Sequence, residues 1–360
     1  MKKETLKIVV ACGGTGGHIF PGLATAQILH ERGHDVTLWL SGRRDVEKHA
    51  ASGYNGKIFH TAAVPLNARN ALQFCAAFFR CRRAMRATGP DVVLAMGSYS
   101  SLAPVAAARL CHVPVVLHEA NAVAGRAVKF LARFAKQVAI SFGEAAKDLP
   151  REKTVLTGLP IRTAHLKAAQ RETGDGFTVF VTGGSQGAHR VNLLASEAFA
   201  LLRKKGAGDL RVIHQTGAAD EKSIAEFYAR HGVDARVSAF IQDMGAAYAA
   251  ADVVVARAGA ATCAELAFCG VPAVFIPLPT ATRDHQTLNA KSFSDAGAAV
   301  CFRQEETTPE MLAEFLSTLR ANPARRDAMR GKARSLATAD AGERLADVVV
   351  ASASLPPCDC

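Results

Sequence analysis

The chain has 360 residues, of which 49% are hydrophobic and 21% charged, as in a folded globular protein long enough for two domains. No apolar run is long enough to span a membrane, and the N-terminal Met-Lys-Lys-Glu leads directly into a β-rich run, so we expect neither a spanning helix nor a signal peptide. The net charge of +11 favours an anionic partner, and nine scattered cysteines are typical of reduced thiols in a cytosolic protein.

Short β-rich runs alternate with helical patterns, which predicts βαβ units and a parallel sheet covered on both faces. In the first half the predicted strands are Lys7–Val10, Asp35–Leu40, Asp91–Ala95, Val113–His118 and Val138–Ser141. The pattern restarts with Phe177–Thr182, Leu210–His214, Arg236–Ala239, Asp252–Ala256 and Ala273–Ile276. Gly158-Leu-Pro-Ile161 is the predicted joint between the halves, and Glu343–Ala351 is predicted to be a last helix.

Each half opens with a glycine-rich loop that follows an apolar strand. The first reads Gly13-Gly-Thr-Gly-Gly-His18, and the second, Gly183-Gly-Ser-Gln-Gly-Ala-His189, repeats its layout. Such a loop lets main-chain N–H groups approach an anion closely, and the helix that follows adds a partial positive charge. The sequence therefore predicts two Rossmann-like halves, each with an anion site.

Neither loop identifies its ligand. The first is not a clean G-x-G-x-x-G, and the second strand ends Leu40-Ser-Gly-Arg43 without the acidic residue expected to hold a ribose diol, although Arg43 could hold the 2′-phosphate of NADP. No lysine followed by serine or threonine completes a P-loop. Glu265, expected in the first turn of a helix after Asp252–Ala256, could hold a ribose or merely complement the helix dipole, which is worth ~0.3–1 kcal/mol.

In combination these motifs resemble the MurG family of peptidoglycan transferases. That family moves N-acetylglucosamine from UDP-N-acetylglucosamine onto undecaprenyl-diphospho-muramoyl-pentapeptide, lipid I, giving lipid II. The matching segments are Gly13–Gly22, Pro90–Leu94, Pro114–Glu119, Asn121, Pro160–Arg162, Gly183–Gly187, Phe240-Ile241, Asp243-Met244, Ala246–Ala249, Ala251–Val255 and Glu265.

The resemblance implies a GT-B fold, with two Rossmann-like domains facing across a cleft. The N-terminal, acceptor- and membrane-binding domain would be 1–161, joined by a C-terminal helix at about 340–354. The UDP-sugar-binding domain would be 162–339. The resemblance also implies a cytoplasmic enzyme, peripheral on the inner face of the plasma membrane, whose partners include other cell-wall synthesis proteins.

The same resemblance assigns site residues. On the donor side it implies contacts from Asn121, Arg162, Ser185, the main chain at Ile241, Ala260, Ala261, Thr262, Cys263, Ala264, Glu265 and Gln286. Thr15, Gly16 and Gly17 would lie at the acceptor diphosphate, beside His18. The chain departs from the family pattern at Ala120 and His285, where glutamine is usual.

Sugar transfer to a hydroxyl needs a base and a stabilised leaving diphosphate. His18 is the best candidate base, with His118-Glu119 as the rival, although His18 could instead only hydrogen-bond a phosphate. No two aspartates stand two residues apart, so the metal-binding Asp-x-Asp motif is missing from the sequence. We therefore expect that no cofactor is required, although Mg²⁺ from solvent can still assist. The resemblance implies an α-linked donor and a β-1,4 product, so we expect one direct displacement with inversion.

Residues 69–86 carry five arginines and no acidic residue. On a helix Phe74, Phe78, Cys81 and Met85 form a core stripe. The opposite side forms a candidate membrane face for anionic lipid. Its residues are Leu72, Phe79, Arg80, Arg83 and Arg86.

Spacing alone favours an ordinary solvated helix there, and only the lipid-linked substrate implied by the resemblance reverses that preference. Aromatic and basic residues are not interleaved as a stacking surface requires, so nucleic acid is not an expected partner. Three other function classes stay open: a nucleotide-sugar epimerase on the same architecture, an NADP-dependent oxidoreductase and a non-catalytic nucleotide sensor.

Overall fold

A computed structural model describes residues 5–42, 47, 53–162, 166 and 176–354. These residues fall into two compact units, one within Met1–Arg162 and Asp340–Cys360 and the other within Thr163–Ala339. Arg43 and the cysteines at 358 and 360 lie outside the described residues.

The first unit is built on a parallel sheet with strand order β3-β2-β1-β4-β5-β6-β7. Its strands are β1 (Lys7–Ala11), β2 (Asp35–Leu40), β3 (Lys57–His60), β4 (Val92–Ala95), β5 (Val115–Glu119), β6 (Gln137–Ile140) and β7 (Thr154–Leu156). Its helices are α1 (Gly16–Glu31), α2 (Ala71–Thr88), α3 (Leu102–Leu110), α4 (Arg126–Leu131) and, from the end of the chain, α12 (Ala341–Ser354). Loops after β1 and β4 therefore diverge at the point where the strand order reverses, which is where doubly wound sheets bind ligands.

Both faces of this sheet are buried, which explains its continuous apolar strands. In β1, Ile8 and Val10 enter one core and Val9 and Ala11 the other. Residues of α12 pack into the same core as Ile8, so the last helix of the chain returns to the first unit.

An ion-pair cluster fixes α12 against α1. Arg32, directly after α1, contacts Glu343 and lies 2.7 Å from an Asp347 carboxylate oxygen. These are partly exposed groups, so packing of the apolar face of α12 contributes more than the ion pairs.

The second unit repeats the plan with strand order β10-β9-β8-β11-β12-β13, all parallel. Its strands are β8 (Phe177–Thr182), β9 (Leu210–Gln215), β10 (Asp234–Ser238), β11 (Val253–Ala256), β12 (Ala273–Phe275) and β13 (Ala299–Cys301). Its helices are α5 (His189–Lys204), α6 (Glu221–Arg230), α7 (Met244–Ala250), α8 (Ala260–Cys269), α9 (His285–Asp295), α10 (Pro309–Ala321) and α11 (Pro323–Ser335). The expected pair of Rossmann-like domains is confirmed.

The sequence missed three strands: β3, β7 and β13. All three lie at a sheet edge and have three or four residues. The predicted core stripe of α2 is confirmed, because Cys81 and Met85 are buried and Phe74 and Phe78 pack against the same core.

Candidate functional site

The first glycine loop joins β1 to α1. Thr15 is the N-cap of α1, and Gly16, Gly17 and His18 form its first turn. N–H groups in a first turn have no intrahelical acceptor and lie at the positive end of the helix dipole. The structure thus brings the predicted loop residues and His18 together at a site suited to an anion.

A buried carboxylate holds this loop, and the sequence analysis missed it. Glu47 Oε1 accepts hydrogen bonds from the Gly14 N–H at 3.1 Å and from Ser41 Oγ at 2.6 Å, and Oε2 accepts from the Gly42 N–H at 2.5 Å. Across the strand-order reversal, Ser100 Oγ donates to the Gly13 carbonyl at 3.0 Å. The start of the loop, at Gly13 and Gly14, is therefore fixed before the helix begins.

His118 lies near His18, at the carboxyl end of β5, and is only 1% exposed. Its Nε2 is 3.3 Å from the Gly158 carbonyl and 3.3 Å from Ser141 Oγ. Burial lowers the pKa of His118 to about 4; the bond to Gly158 opposes that change, and the charge of His18 adds to it. Because its pKa is about 4, His118 is neutral at neutral pH. The Gly158 carbonyl can only accept a hydrogen bond, so the ring proton is on Nε2.

The neutral buried histidines make stability depend on pH. Burial also lowers the pKa of His214, in β9, to about 3. Both folded-state values lie below the ordinary value near 6.5, so below that pH the unfolded chain binds protons that the folded chain does not. We expect each histidine to remove about 2 kcal/mol of unfolding free energy between pH 7.5 and pH 5.

Urea unfolding at pH 7.5, 6 and 5, followed by circular dichroism, measures this loss. In a His214→Gln variant the unfolding free energy should fall by about 2 kcal/mol less between pH 7.5 and pH 5 than in the wild type, because that histidine no longer contributes. An unfolding free energy that is flat from pH 7.5 to 5 would contradict the prediction.

Glu119 ends β5 and orients Asn121. Its Oε1 accepts from the Asn121 N–H at 2.9 Å and from Asn121 Nδ2 at 3.1 Å, and its Oε2 accepts from the Gly125 N–H at 2.8 Å. The candidate Arg162 ends the first unit, with its guanidinium 5.0 Å from the centre of the Phe20 ring on α1.

In the second unit the glycine loop after β8 folds tightly against the end of β9. The Gly187 N–H donates to the Gly184 carbonyl at 2.9 Å, and Ser185 is exposed between them. A Cβ on Gly187, whose φ is +72°, would lie 1.9 Å from the Thr216 carbonyl oxygen, so only glycine fits. After the loop, the Nδ1 of His189 lies 2.9 Å from an Asp220 carboxylate oxygen.

The sequence predicted Glu265 in the first turn of α8, and this prediction is wrong. The helix begins at Ala260, which places Glu265 in the second turn. That position weakens the interpretation as a dipole-complementing glutamate, since the effect is confined to the first turn. The buried Tyr248 hydroxyl donates to Glu265 Oε2 at 2.8 Å and fixes the carboxylate. Burial raises the pKa of Tyr248, and the charge of Glu265 raises it further.

The remaining donor-side candidates surround the start of α8. Gly259 is its N-cap, and Ala260, Ala261 and Thr262 form the first turn, where main-chain N–H groups have no intrahelical acceptor. Cys263 is fully buried and could contribute only through its main chain.

Two further candidates belong to the segment that starts α9. Gln286 Oε1 accepts from the Leu278 N–H at 2.9 Å, which leaves its Nε2 as the donor group for a ligand. The Nδ1 of His285, the departure from the family pattern, donates to the Thr282 carbonyl at 2.8 Å.

Sequence reasoning did not single out Glu47, Gln215 or Tyr248. Each of them bonds to a site residue 17 to 33 positions away in the chain, and no spacing rule reveals such a contact. A weak signal exists for Gln215: a polar Gln-Thr-Gly directly after an apolar strand places it at the carboxyl edge of the sheet.

Two family models match the chain. The glycosyltransferase family 28 N-terminal domain matches residues 8–140 and the C-terminal domain residues 178–345. The chain is similar to a solved structure of Acinetobacter baumannii MurG, with 33% identity, a TM-score of 0.80 and coverage of 96% of this chain and 99% of that one. A UDP-GlcNAc 2-epimerase from Neisseria meningitidis shares the fold alone, with 12% identity and a TM-score of 0.72 over 96% of this chain and all of that one.

A relative from Geobacter sulfurreducens is 37% identical over 96% of this chain and 99% of its own length. It is named UDP-N-acetylglucosamine–N-acetylmuramyl-(pentapeptide) pyrophosphoryl-undecaprenol N-acetylglucosamine transferase. With two family 28 domains in order and a relative of this identity along nearly the whole chain, the protein belongs to the MurG family of GT-B glycosyltransferases.

Proposed function

We propose that this protein transfers N-acetylglucosamine from UDP-N-acetylglucosamine to the muramoyl 4-hydroxyl of lipid I, with inversion, to give lipid II for peptidoglycan synthesis. The observation that carries the proposal is the match over 96% of the chain to a relative named for that transfer. The two anion sites fit it, because donor and acceptor each carry a diphosphate.

The second unit binds the donor in this proposal. Ser185 and the N–H groups before α5 hold the diphosphate, and Glu265 accepts hydrogen bonds from the ribose hydroxyls. Ile241 contacts uracil through its main chain, and the start of α8 with Gln286 lies along the sugar and phosphates. Support comes from the N–H groups at both helix starts, which have no intrahelical acceptor, and from the fixed Glu265 carboxylate.

Replacing Tyr248 by phenylalanine should raise KM for UDP-N-acetylglucosamine about tenfold with little change in kcat. The hydroxyl does not touch the substrate, but its loss frees the carboxylate that holds the ribose, and hydrogen bonds to charged groups are worth ~1.5–3 kcal/mol. Steady-state kinetics with varied donor measure this effect.

Tyr228→Phe is the matched control, because that buried hydroxyl bonds to His214 Nδ1 at 2.8 Å and not to Glu265. An equal rise of KM in both variants would show that general loosening of the unit, and not Glu265, is responsible.

The first unit binds the acceptor. Thr15, Gly16 and Gly17 hold the acceptor diphosphate, and His18 removes the proton from the attacking hydroxyl. His118 is less suited to that step because its pKa of about 4 makes it a weak base. It remains neutral beside His18, so it adds no positive charge that would oppose proton uptake there. Asn121, held by Glu119, is the residue of this unit that the family resemblance assigns to the transferred sugar.

The leaving UDP gains negative charge as the sugar departs. Ser185 and the N-terminus of α5 would stabilise it, and losing one such donor typically lowers the rate by about 10²–10³-fold. We propose that no metal ion is required, since the Asp-x-Asp pattern that holds one is missing from the sequence. Transfer that persists in EDTA would support this.

We also propose that α2 contacts the inner face of the plasma membrane. Leu72 and Phe79 are 87% and 60% exposed. Beside them, the Arg80 guanidinium lies 5.3 Å from the centre of the Phe59 ring. Arg83 and Arg86 supply further positive charge on this helix. Within the described part of the chain, no helix has the length and apolar character needed to cross a bilayer.

Replacing both Leu72 and Phe79 by serine should lower affinity for vesicles containing anionic phospholipid by about tenfold or more. A fully buried Leu or Phe side chain gains ~1.5–3 kcal/mol, and partial insertion of two side chains retains a share of that. Vesicle sedimentation measures the loss.

Met311→Ser is the control, since Met311 is an exposed apolar residue of the second unit. Transfer to a short-chain, water-soluble acceptor should stay unchanged in the double variant. Unaltered vesicle binding would exclude this face of α2.

The function is tested by incubating the protein with labelled UDP-N-acetylglucosamine and a lipid I analogue, and by identifying the product. A β-1,4-linked disaccharide on the lipid, with one UDP released per transfer, is the expected result. Interconversion of the UDP-sugar without an acceptor would indicate an epimerase. Cofactor oxidation would indicate an oxidoreductase, and UDP binding without turnover would indicate a sensor.

A further inference from the structure

Gln215 bridges two loops of the second unit. It is the last residue of β9 and is only 2% exposed. Its Oε1 accepts from the Ile241 N–H at 2.9 Å, while its Nε2 donates to the Gly184 carbonyl at 3.0 Å and to Thr182 Oγ1 at 3.3 Å. One side chain is therefore bonded at both ends to main-chain groups 26 and 31 residues away.

The orientation of this carboxamide is fixed by its partners. A main-chain N–H can only donate and a main-chain carbonyl can only accept, so the oxygen must face Ile241 and the nitrogen must face Gly184. Rotation by 180° would bring two donors together on one side and two acceptors on the other. Buried polar groups left unpaired are destabilising, so the bridge holds both loops in one relative position.

The two loops contact different parts of the proposed donor. Gly184 belongs to the phosphate loop, and its carbonyl also accepts from the Gly187 N–H that closes this loop. Ile241 belongs to the segment between β10 and α7 that contacts the base. A shift of either loop must stretch a bond to Gln215, so the position of one loop depends on the position of the other.

We propose that Gln215 is a positioning residue that couples recognition of the base to recognition of the diphosphate within one nucleoside diphosphate. The proposal rests on the proposed function, because it takes UDP as the ligand of this site. Gln215 does not touch the ligand; base binding at Ile241 holds Gly184 through the carboxamide, and the phosphate loop is then ordered for the second phosphate.

The test compares binding of UMP and UDP to the full chain by isothermal titration calorimetry. The measured quantity is the Kd of UMP divided by the Kd of UDP, which reports what the second phosphate adds once the base is bound. In Gln215→Leu this ratio should fall about five- to tenfold, as expected for the loss of one or two hydrogen bonds, while UMP affinity changes less than the ratio.

A second variant, Gln215→Glu, has nearly the size of glutamine and keeps the acceptor for Ile241 but loses the donor to Gly184. It should lower the ratio as well, and it keeps the measurement available if the leucine variant does not fold. Gln186→Glu is its charge control, because it adds the same charge to an exposed position of the same loop. The ratio should fall further in Gln215→Glu than in that control.

Equal weakening of UMP and UDP would overturn the proposal, since Gln215 would then only support the loops generally. Unchanged ratios would overturn it too. A wild-type protein that binds neither UMP nor UDP would contradict the proposed function itself. If the wild type binds UDP and transfers the sugar, an unchanged ratio in the variants contradicts only the proposed role of Gln215.

Discussion

Replacing His18 by alanine is expected to lower kcat for transfer to the lipid I analogue by about 10²–10⁴-fold, the usual loss when a general base is removed. His18 stands in the first turn of α1, directly after the loop that would hold the acceptor diphosphate. The attacking hydroxyl is a poor nucleophile until its proton leaves, and a neutral imidazole is the side chain suited to that step near neutral pH.

Two features separate a base from a phosphate ligand at this position. Loss of a base lowers kcat and removes the acid limb of the pH–kcat profile, whereas loss of a phosphate contact mainly raises KM for the acceptor. His30→Ala is the matched control, because His30 lies exposed in the last turn of the same helix. Full activity in His18→Ala would move the search to His118, tested as His118→Gln.

The parts of the fold found from the sequence are those specified by local pattern. Apolar strands followed by glycines and a helix identify the loops after β1 and β8. Both the hydrophobic run and the tight turn depend only on residues that are adjacent in the sequence. The missed strands β3, β7 and β13 are short and lie at sheet edges. Their conformation depends on pairing with a neighbouring strand more than on their own residues.

The site divides in the same way. His18 and Ser185 can be found because they stand inside a recognisable loop. The roles of Tyr248 and Gln215 depend on contacts across 17 to 31 residues, which only the packed sheet brings together. The pKa of His118 is equally hidden, because burial sets it and the sequence shows only a histidine at the end of a strand.

The second large effect is expected at Gly187. Gly187→Ala should lower the unfolding free energy of the second unit by about 2–4 kcal/mol, combining the strain of a left-handed backbone with overpacking. The added Cβ would lie 1.9 Å from the Thr216 carbonyl oxygen and 3.0 Å from Gly217 Cα, and both of these are backbone atoms that cannot rotate away. The loop must therefore move, and displacement of a substrate-positioning group by about 1 Å can lower activity about 10²-fold.

Gly184→Ala separates strain from collision. Gly184 also has a positive φ, +88°, but nothing lies within 4 Å of the Cβ position, so this substitution adds backbone strain alone. We expect it to lower the unfolding free energy by about 1–2 kcal/mol and to retain most UDP binding. Thermal unfolding and UDP titration of both variants measure the difference. If the two were equally destabilised and bound UDP equally well, contact between the loop and the end of β9 could not be what shapes the phosphate site.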